Sequence, residues 1–260
     1  DPDNTIDPDY SHILYSSPSR QGPTIGFIDP VLIQYSDPLK RVLLNSARDA
    51  NPFFHLYEAL WMLNGNNDVE SLKYFTSKIA DLASDDGITF NGAYGYRWRN
   101  GRINGGRIDQ LWYLADHLQR VPTSRRAVLQ MWNTQDDMYR IDTSKDVCCN
   151  LSVIFVIRNG CLDMTVTNRS NDLIWGMLGA NYVHFTILQE YMAARIGVKV
   201  GVYNHFTTNL HFYTERHPYS YLNDIDNIYS FDADRYGMGL VSFLDSYVPV
   251  PLCKDLRTFD

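Results

Sequence analysis

This sequence predicts an α/β (α+β) protein with a large mixed β-sheet covered by helices, on three observations. Its strongest β runs, such as "LSVIFVI" from Leu151 to Ile157, are continuously apolar, as strands covered on both faces are. Segments of helical period separate these runs along the chain. Finally, 260 residues with 45% hydrophobic content can bury a substantial core, and no repeat, low-complexity tract or Pro/Gly-rich linker divides them. One domain spanning residues 1–260 is the expectation.

Taken in order, residues 1–19 are polar and punctuated by proline, and read as an N-terminal arm or loop. "TIGFIDPVLIQY" is β-branched and aromatic around Asp29-Pro30, which predicts a strand, a turn and a second strand. "NPFFHLYEALWMLNG" opens with Asn51-Pro52, keeps apolar residues at helical spacing and stops at Gly65, so it is a helix carrying Glu58. That glutamate either lies on the wet face or is held for chemistry, because burying it unpaired beside Ala59, Leu60 and Trp61 would be costly. "GGRIDQLWYLADHLQ" is a second, amphipathic helix, and "RRAVLQMW" and "LSVIFVI" are core strands. "CLDMTVTNRS" is a further strand ending at Arg169-Ser170. "NYVHFTILQEYMAARIG" is a long, mostly apolar helix closed by Gly197. In "LHFYTERH" the alternation of a strand puts His211 and Tyr213 on one face.

Bulk properties exclude several classes of function. Apolar stretches fall short of the ~18 residues a membrane span needs, and the N-terminus lacks the layout of a signal peptide. Four cysteines without CxxC spacing suggest neither a disulfide framework nor zinc; they read as reduced thiols of a cytoplasmic protein with no metal. A net charge of -7 argues against a protein that coats a nucleic-acid polymer. "NGGR" is a turn and no dinucleotide fingerprint. The distinctive arginines, namely Arg20, Arg125, Arg126 and Arg169, suit a small phosphorylated ligand, although surface ion pairing is the commoner role of any single one.

At "DVCCNLSVIFVIRNGCLDMTVTNRSND" the pattern becomes specific. "SRRAVLQMWN", then a cysteine, then "NRSND", then "NLHFY" resembles the thymidylate synthase superfamily, which comprises thymidylate synthases and related pyrimidine-nucleotide hydroxymethylases. "SRQGPTIGF", "HLYEALWMLNG", "AYGYRWR" and "IDQL" extend the likeness, so that it runs from about Arg20 to Tyr213.

The resemblance implies a thymidylate synthase-like fold and a homodimer formed sheet to sheet. It also implies that Cys149 is the nucleophile attacking carbon 6 of a pyrimidine, a step that turns carbon 5 into an enolate carbon able to take a one-carbon unit. Such a thiol is expected to have a lowered pKa in the field of neighbouring arginines. Cys148, where the family usually has proline, is the competitor; the twenty-residue interval to Arg169 favours Cys149. By the same matching Arg20, Arg169 and Ser170 grip the 5'-phosphate with Arg125 and Arg126 of the partner subunit, and His211 and Tyr213 bind the ribose hydroxyls. Glu58 organises proton transfers, Tyr94 lies near the nucleophile and Asp172 helps hold the folate.

Three departures bear on the reaction. Counting without gaps from Glu58 brings the family's tryptophan pair IWDEW onto "IADLA", Ile79 to Ala83, so both tryptophans become alanine. Losing that aromatic wall should let water reach the methylene intermediate before hydride does. Asn150 replaces a histidine, and an amide does not titrate near neutrality. "DLIWGMLGANY" is one residue longer than the family's path to the asparagine that reads the base. Either Asn181 fills that role through a local bulge, or Ala180 takes the position.

The expected function is therefore a folate-dependent hydroxymethylase. It would transfer a one-carbon unit from 5,10-methylenetetrahydrofolate to a pyrimidine nucleoside monophosphate (dUMP, dCMP or CMP), with base and sugar left open. Phe75 or Trp98 supplying the wall would instead make it a thymidylate synthase, and a non-catalytic nucleotide- or RNA-binding relative is the third reading. The final "PVPLCKDLRTFD" does not match the family's apolar tail.

Overall fold

A computed structural model describes residues 8–42, 50–84, 86–215, 249 and 251–253. Strand β1 (Leu14–Ser17) pairs antiparallel with β2 (Thr24–Phe27). The supposed N-terminal arm therefore contributes an edge strand, because the reversal at Ser19–Gly22 folds residues 14–17 back onto β2. Strand β3 (Val31–Tyr35) follows, then helix α1 (Pro52–Leu63), whose cap Asn51 accepts from the amides of Phe53 and Phe54. The short α2 (Glu70–Lys73), a 3-10 turn at Ser77–Leu82, and α3 (Tyr94–Arg99) lead to a hairpin of β4 (Gly101–Ile103) and β5 (Gly106–Ile108). Helix α4 (Gln110–Arg120) starts at its Asp109 cap, so the preceding "GGRI" is strand and not helix.

Strand β6 (Val128–Gln130) and the short α5 (Thr134–Asp137) precede the central hairpin of β7 (Asn150–Arg158) and β8 (Cys161–Asn168). That hairpin turns at Asn159 and Gly160, both with positive φ, as a two-residue turn between right-twisted strands requires. Strand β9 (Asn171–Asp172), helix α6 (Ala180–Ile196), β10 (Lys199–Thr207) and β11 (Leu210–Tyr213) complete the described elements.

The strands form two mixed sheets, ordered β1-β2-β11-β9 and β3-β10-β8-β7-β6. Although β2 and β3 flank one turn, they belong to different sheets. Helix α6 lies against one face of the five-stranded sheet, touching β8 and β10 on one side and α1 and α4 on the other. It is buried nearly all round, as a helix through the centre of a core must be. Phe155, Leu162, Met164 and Val166 below it are fully buried, each contributing on the order of 2 kcal/mol from apolar burial. Within this core Arg41 Nη2 meets Glu190 at 2.5 Å, and Gln189 Nε2 donates to the carbonyl of Leu162. The other face of the sheet leaves Leu32, Val128 and Ile154 in solvent.

Candidate active site

The ends of β7 and β8 that meet beside β10 carry the predicted nucleophile. Cys149 immediately precedes β7 and is half-buried, while Cys148 is 1% exposed and donates its S–H to the carbonyl of Asn150. Cys148 thus packs in the core, whereas Cys149 is partly exposed. Arg169, one residue beyond β8, reaches back across the hairpin: Nε donates to the carbonyl of Cys148, and Nη2 donates to that of Val147 and lies 3.5 Å from Cys149 Sγ. Arg20 donates to the carbonyls of Ser144 and Lys145. Two guanidiniums therefore rest on the peptide carbonyls of the loop that carries the nucleophile.

Asp146 in that loop accepts from the amide of Gly92, which ties it to the segment before Tyr94. Burial raises its carboxyl, against the lowering effects of the Gly92 amide and Arg97.

The thiol is not held in the lowered state expected for it. Burial pushes Cys149 above its ordinary value; Arg169 opposes the rise, Asp146 adds to it and Arg20 opposes it. Desolvation outweighs the two arginines because both spread their charge over backbone carbonyls at the edge of solvent. Tyr94 is also raised, first by burial and then by Cys149, Cys148 and Asp146, with the Asn150 side chain opposing. Its ring stacks on Phe185 of α6 at 6.2 Å.

Glu58 on α1 is half-buried, and Oε2 stands 3.0 Å from Nε2 of His184 on α6. His184, which no sequence signal singled out, is brought beside Glu58 by the packing of α6 on α1. Asn150, Asn168 and Thr207 face one another in register across β7, β8 and β10, each buried to 1% or less. The side chains of Asn168 and Thr207 have no hydrogen-bond partner among the described residues, and that of Asn150 interacts only with Tyr94 there. Such a row is able to hold a polar ligand or water.

On the other sheet, β9 and β11 place Asp172 beside His211. His211 Nδ1 lies 3.2 Å from Asn209 Oδ1, which accepts only, so Nδ1 carries the proton and Nε2 is a bare acceptor. Burial lowers this histidine, and Asp172 opposes the shift. Ser170 Oγ is 3.5 Å from the same ring, and Tyr213 lies edge-on to it at 5.3 Å. Asp172 caps the next turn through Oδ1, whereas its buried Oδ2 has no partner among the described residues.

The extra residue in "DLIWGMLGANY" is absorbed by a π turn at Leu173–Met177, in which the amide of Leu178 donates to the carbonyl of Leu173. That wide turn lets α6 start with Asn181 directed at Asn171, and Asn181 Nδ2 donates to Asn171 Oδ1 at 2.9 Å. The bulge alternative is the one the backbone adopts, and Ala180 is simply the first helical residue.

Arg125 and Arg126 are not part of this cluster. They precede β6, the edge strand beside β7, and lie toward the end of β7 away from Cys149, with exposed side chains. The segment of Ile79 to Ala83 forms the 3-10 turn, with Ala80 half-buried and Ala83 buried. Trp98 is 1% exposed in the core, too deep to serve as the missing wall; Phe75 instead joins Phe54 and Tyr57 at 5.4 and 4.8 Å. A separate cleft of about 600 Å³, lined by Arg102, Arg107, Trp132 and Arg140 among others, contains none of the residues named for the nucleotide.

Comparison with known proteins places this arrangement. A family model described as "Thymidylate synthase" matches residues 39–226. A protein of Pseudomonas phage M6 named deoxyuridylate hydroxymethyltransferase is 50% identical over 198 residues, covering 76% of this chain and 54% of its own length. One of the same name from Bacillus phage SP01 is 37% identical over 220 residues, covering 82% and 57%. The chain thus spans about half the length of these curated relatives. Among solved structures, thermostable thymidylate synthase A from Bacillus subtilis superposes with a TM-score of 0.60 at 26% identity, over 79% of this chain and 69% of that one.

Proposed function

The chain belongs to the thymidylate synthase family, and from that premise we propose that it transfers a one-carbon unit to carbon 5 of deoxyuridine 5'-monophosphate and leaves it there as a hydroxymethyl group. The observation that carries the reading is the 3.5 Å contact of Arg169 with Cys149 Sγ, which puts an anion-binding group and a nucleophile at one point. In this reading the 5'-phosphate takes over the guanidiniums of Arg20 and Arg169 from the loop carbonyls, with Ser170 as a further donor. Nε2 of His211 and the hydroxyl of Tyr213 meet the ribose, and Asn181 reads the base.

The thiol, whose pKa burial raises, gives up its proton to solvent as the sulfur adds to carbon 6. Carbon 5 then becomes the nucleophile. Methylenetetrahydrofolate, the co-substrate this family implies, supplies the one-carbon unit when bound; the buried Oδ2 of Asp172, which has no partner among the described residues, is a fitting acceptor for a pterin N–H. The choice of water over hydride follows from Ala80 and Ala83, which leave no indole beside the nascent methylene, and the names of the two phage relatives support it. Loss of the proton on carbon 5 and cleavage of the bond to the folate nitrogen release tetrahydrofolate unoxidised and leave an exocyclic methylene. Water adds to that carbon, the electron pair returns to the bond between carbons 5 and 6, and the sulfur leaves as thiolate. Glu58, backed by His184, is placed to take the proton of that water. The row of Asn150, Asn168 and Thr207 offers fixed donors and acceptors beside Cys149 to orient it.

The exposed Leu32, Val128 and Ile154 lie on one face of the five-stranded sheet, and a homodimer meeting there is part of the proposal. In it Arg125 and Arg126 complete the phosphate site of the opposite subunit. The aromatic cluster of Phe54, Tyr57 and Phe75 favours the second reading, reductive methylation, if it closes over the folate. Incubating the full-length protein with methylenetetrahydrofolate and dUMP separates the two. A product heavier by one hydroxymethyl unit, without the absorbance rise of dihydrofolate, is expected; a 5-methyl product with that rise overturns the proposal.

A further inference from the structure

Behind Asn181 lies a chain of buried polar side chains that the chemistry above leaves unused. Asn181 Nδ2 donates to Asn171 Oδ1 at 2.9 Å, Asn171 Nδ2 lies 3.2 Å from His205 Nε2, and His205 Nδ1 lies 2.8 Å from the hydroxyl of Tyr203. Asn171 is 4% exposed, and His205 and Tyr203 are wholly buried. The chain crosses from β9 to strand β10, linking the two sheets. Space for it depends on Gly176 in the π turn, because a Cβ there would come within 2.1 Å of Asn171 Oδ1.

The polarity of this chain follows from its members. An amide nitrogen only donates, so Nε2 of His205 is an acceptor and its proton sits on Nδ1, pointing to the Tyr203 oxygen. Burial keeps the ring neutral, pushing its pKa down to about 3. Asn171 is thereby turned with Oδ1 toward Asn181, and Oδ1 accepts only from Nδ2. One edge of the Asn181 carboxamide is fixed in this way, leaving Oδ1 and the second Nδ2 hydrogen for the base.

We propose that Asn171, His205 and Tyr203 are specificity-determining positioning residues, which orient the Asn181 carboxamide for uracil and against cytosine. This rests on the nucleotide site proposed above. Uracil presents N3–H and O4, which match Oδ1 and Nδ2 in this orientation; cytosine presents a bare N3 and an amino group, which require the reverse. Turning Asn181 alone would set two carbonyl oxygens face to face. Turning the whole chain requires a second amide flip, the other His205 tautomer and a rotated Tyr203 hydroxyl, all inside the core.

Titration calorimetry on the full-length protein with dUMP, dCMP and 2-deoxyribose 5-phosphate tests the assignment. The wild type should favour dUMP over dCMP by roughly tenfold or more, as expected when a paired hydrogen-bonding edge is mismatched. Asn171→Leu should bring that ratio to near unity while binding of the sugar phosphate is unchanged. Asn171→Asp, whose side chain only accepts, should keep the preference for dUMP. An unchanged ratio in Asn171→Leu, a proportional loss of all three ligands, or a shift of Asn171→Asp toward dCMP each overturns it. Nitrogen NMR of the wild type gives a check that requires no variant: His205 should show a protonated Nδ1 and a bare Nε2, and the opposite tautomer refutes the proposal. Failure of the wild type to bind any of the three ligands would instead overturn the nucleotide site itself.

Discussion

The two ends of the proposed nucleotide cleft are built from opposite materials. At the phosphate end, Arg20 and Arg169 are exposed, charged and held by peptide carbonyls that a better acceptor can replace. At the base end, Asn171, His205 and Tyr203 are buried, neutral and bonded to one another. The difference teaches a division of labour. Solvent-exposed charge grips any phosphate with little regard to what it bears, while a buried neutral chain has a direction and so can tell one base from another.

The comparison yields predictions of decreasing size. The largest concerns the atom between the two ends: Cys149→Ser should lower turnover by at least about a thousandfold while leaving dUMP affinity within a few fold, measured by product mass and calorimetry. At the phosphate end, Arg169→Ala should weaken dUMP and dCMP equally, by about thirtyfold, since a charged hydrogen bond is worth roughly 2 kcal/mol. The same change removes the group that most opposes the rise of the Cys149 pKa, so alkylation of Cys149 by iodoacetamide at pH 8 should slow several-fold. A loss falling on only one nucleotide would break the contrast between the ends.

At the base end, the relevant test is acidity. The pKa of His205 falls from 6.5 to about 3 on folding, so between these values the unfolded chain binds a proton that the folded one does not. Stability therefore rises with pH across that window and is lost as pH falls below 6.5, at up to about 1.4 kcal/mol per unit. Denaturant unfolding between pH 7 and 5 should show this slope, and His205→Phe should remove its share. The smallest effect is expected at Ala80: replacement by Trp should divert a minor fraction of the product to the 5-methyl form, detected by mass. No diversion would mean that the alanines are not what admits water.

The phosphate end was far more legible in the sequence than the base end. Local patterns marked α1, β7, β8 and α6, and the spacing of Cys149 and Arg169 singled out two side chains that the fold brings within 3.5 Å of each other. Strand β10 had no such signal, because His205 and Asn204 interrupt its apolar run; the inward His205 is held by Tyr203, two residues before it on the same strand face, and by Asn171, which is distant in sequence. Strand β1 was hidden for a similar reason, its identity depending on β2 as partner. The Asn159-Gly160 turn was a readable hairpin signal. His184 could not be found from its own helix, since only the packing of α6 on α1 brings it to Glu58. The raised thiol of Cys149 reflects burial, which spacing does not reveal.

The π turn at Leu173–Met177 has a consequence for how this segment tolerates change in length. Removing a residue from a helix ordinarily rotates everything beyond it by about 100° and misdirects every later side chain. Here a surplus residue is already stored as a loop of slack, and Leu178 at its end is 42% exposed. Deleting Leu178 should tighten the slack into ordinary helix and leave Asn181 aimed as before, so that shortening the chain costs little in thermal melting.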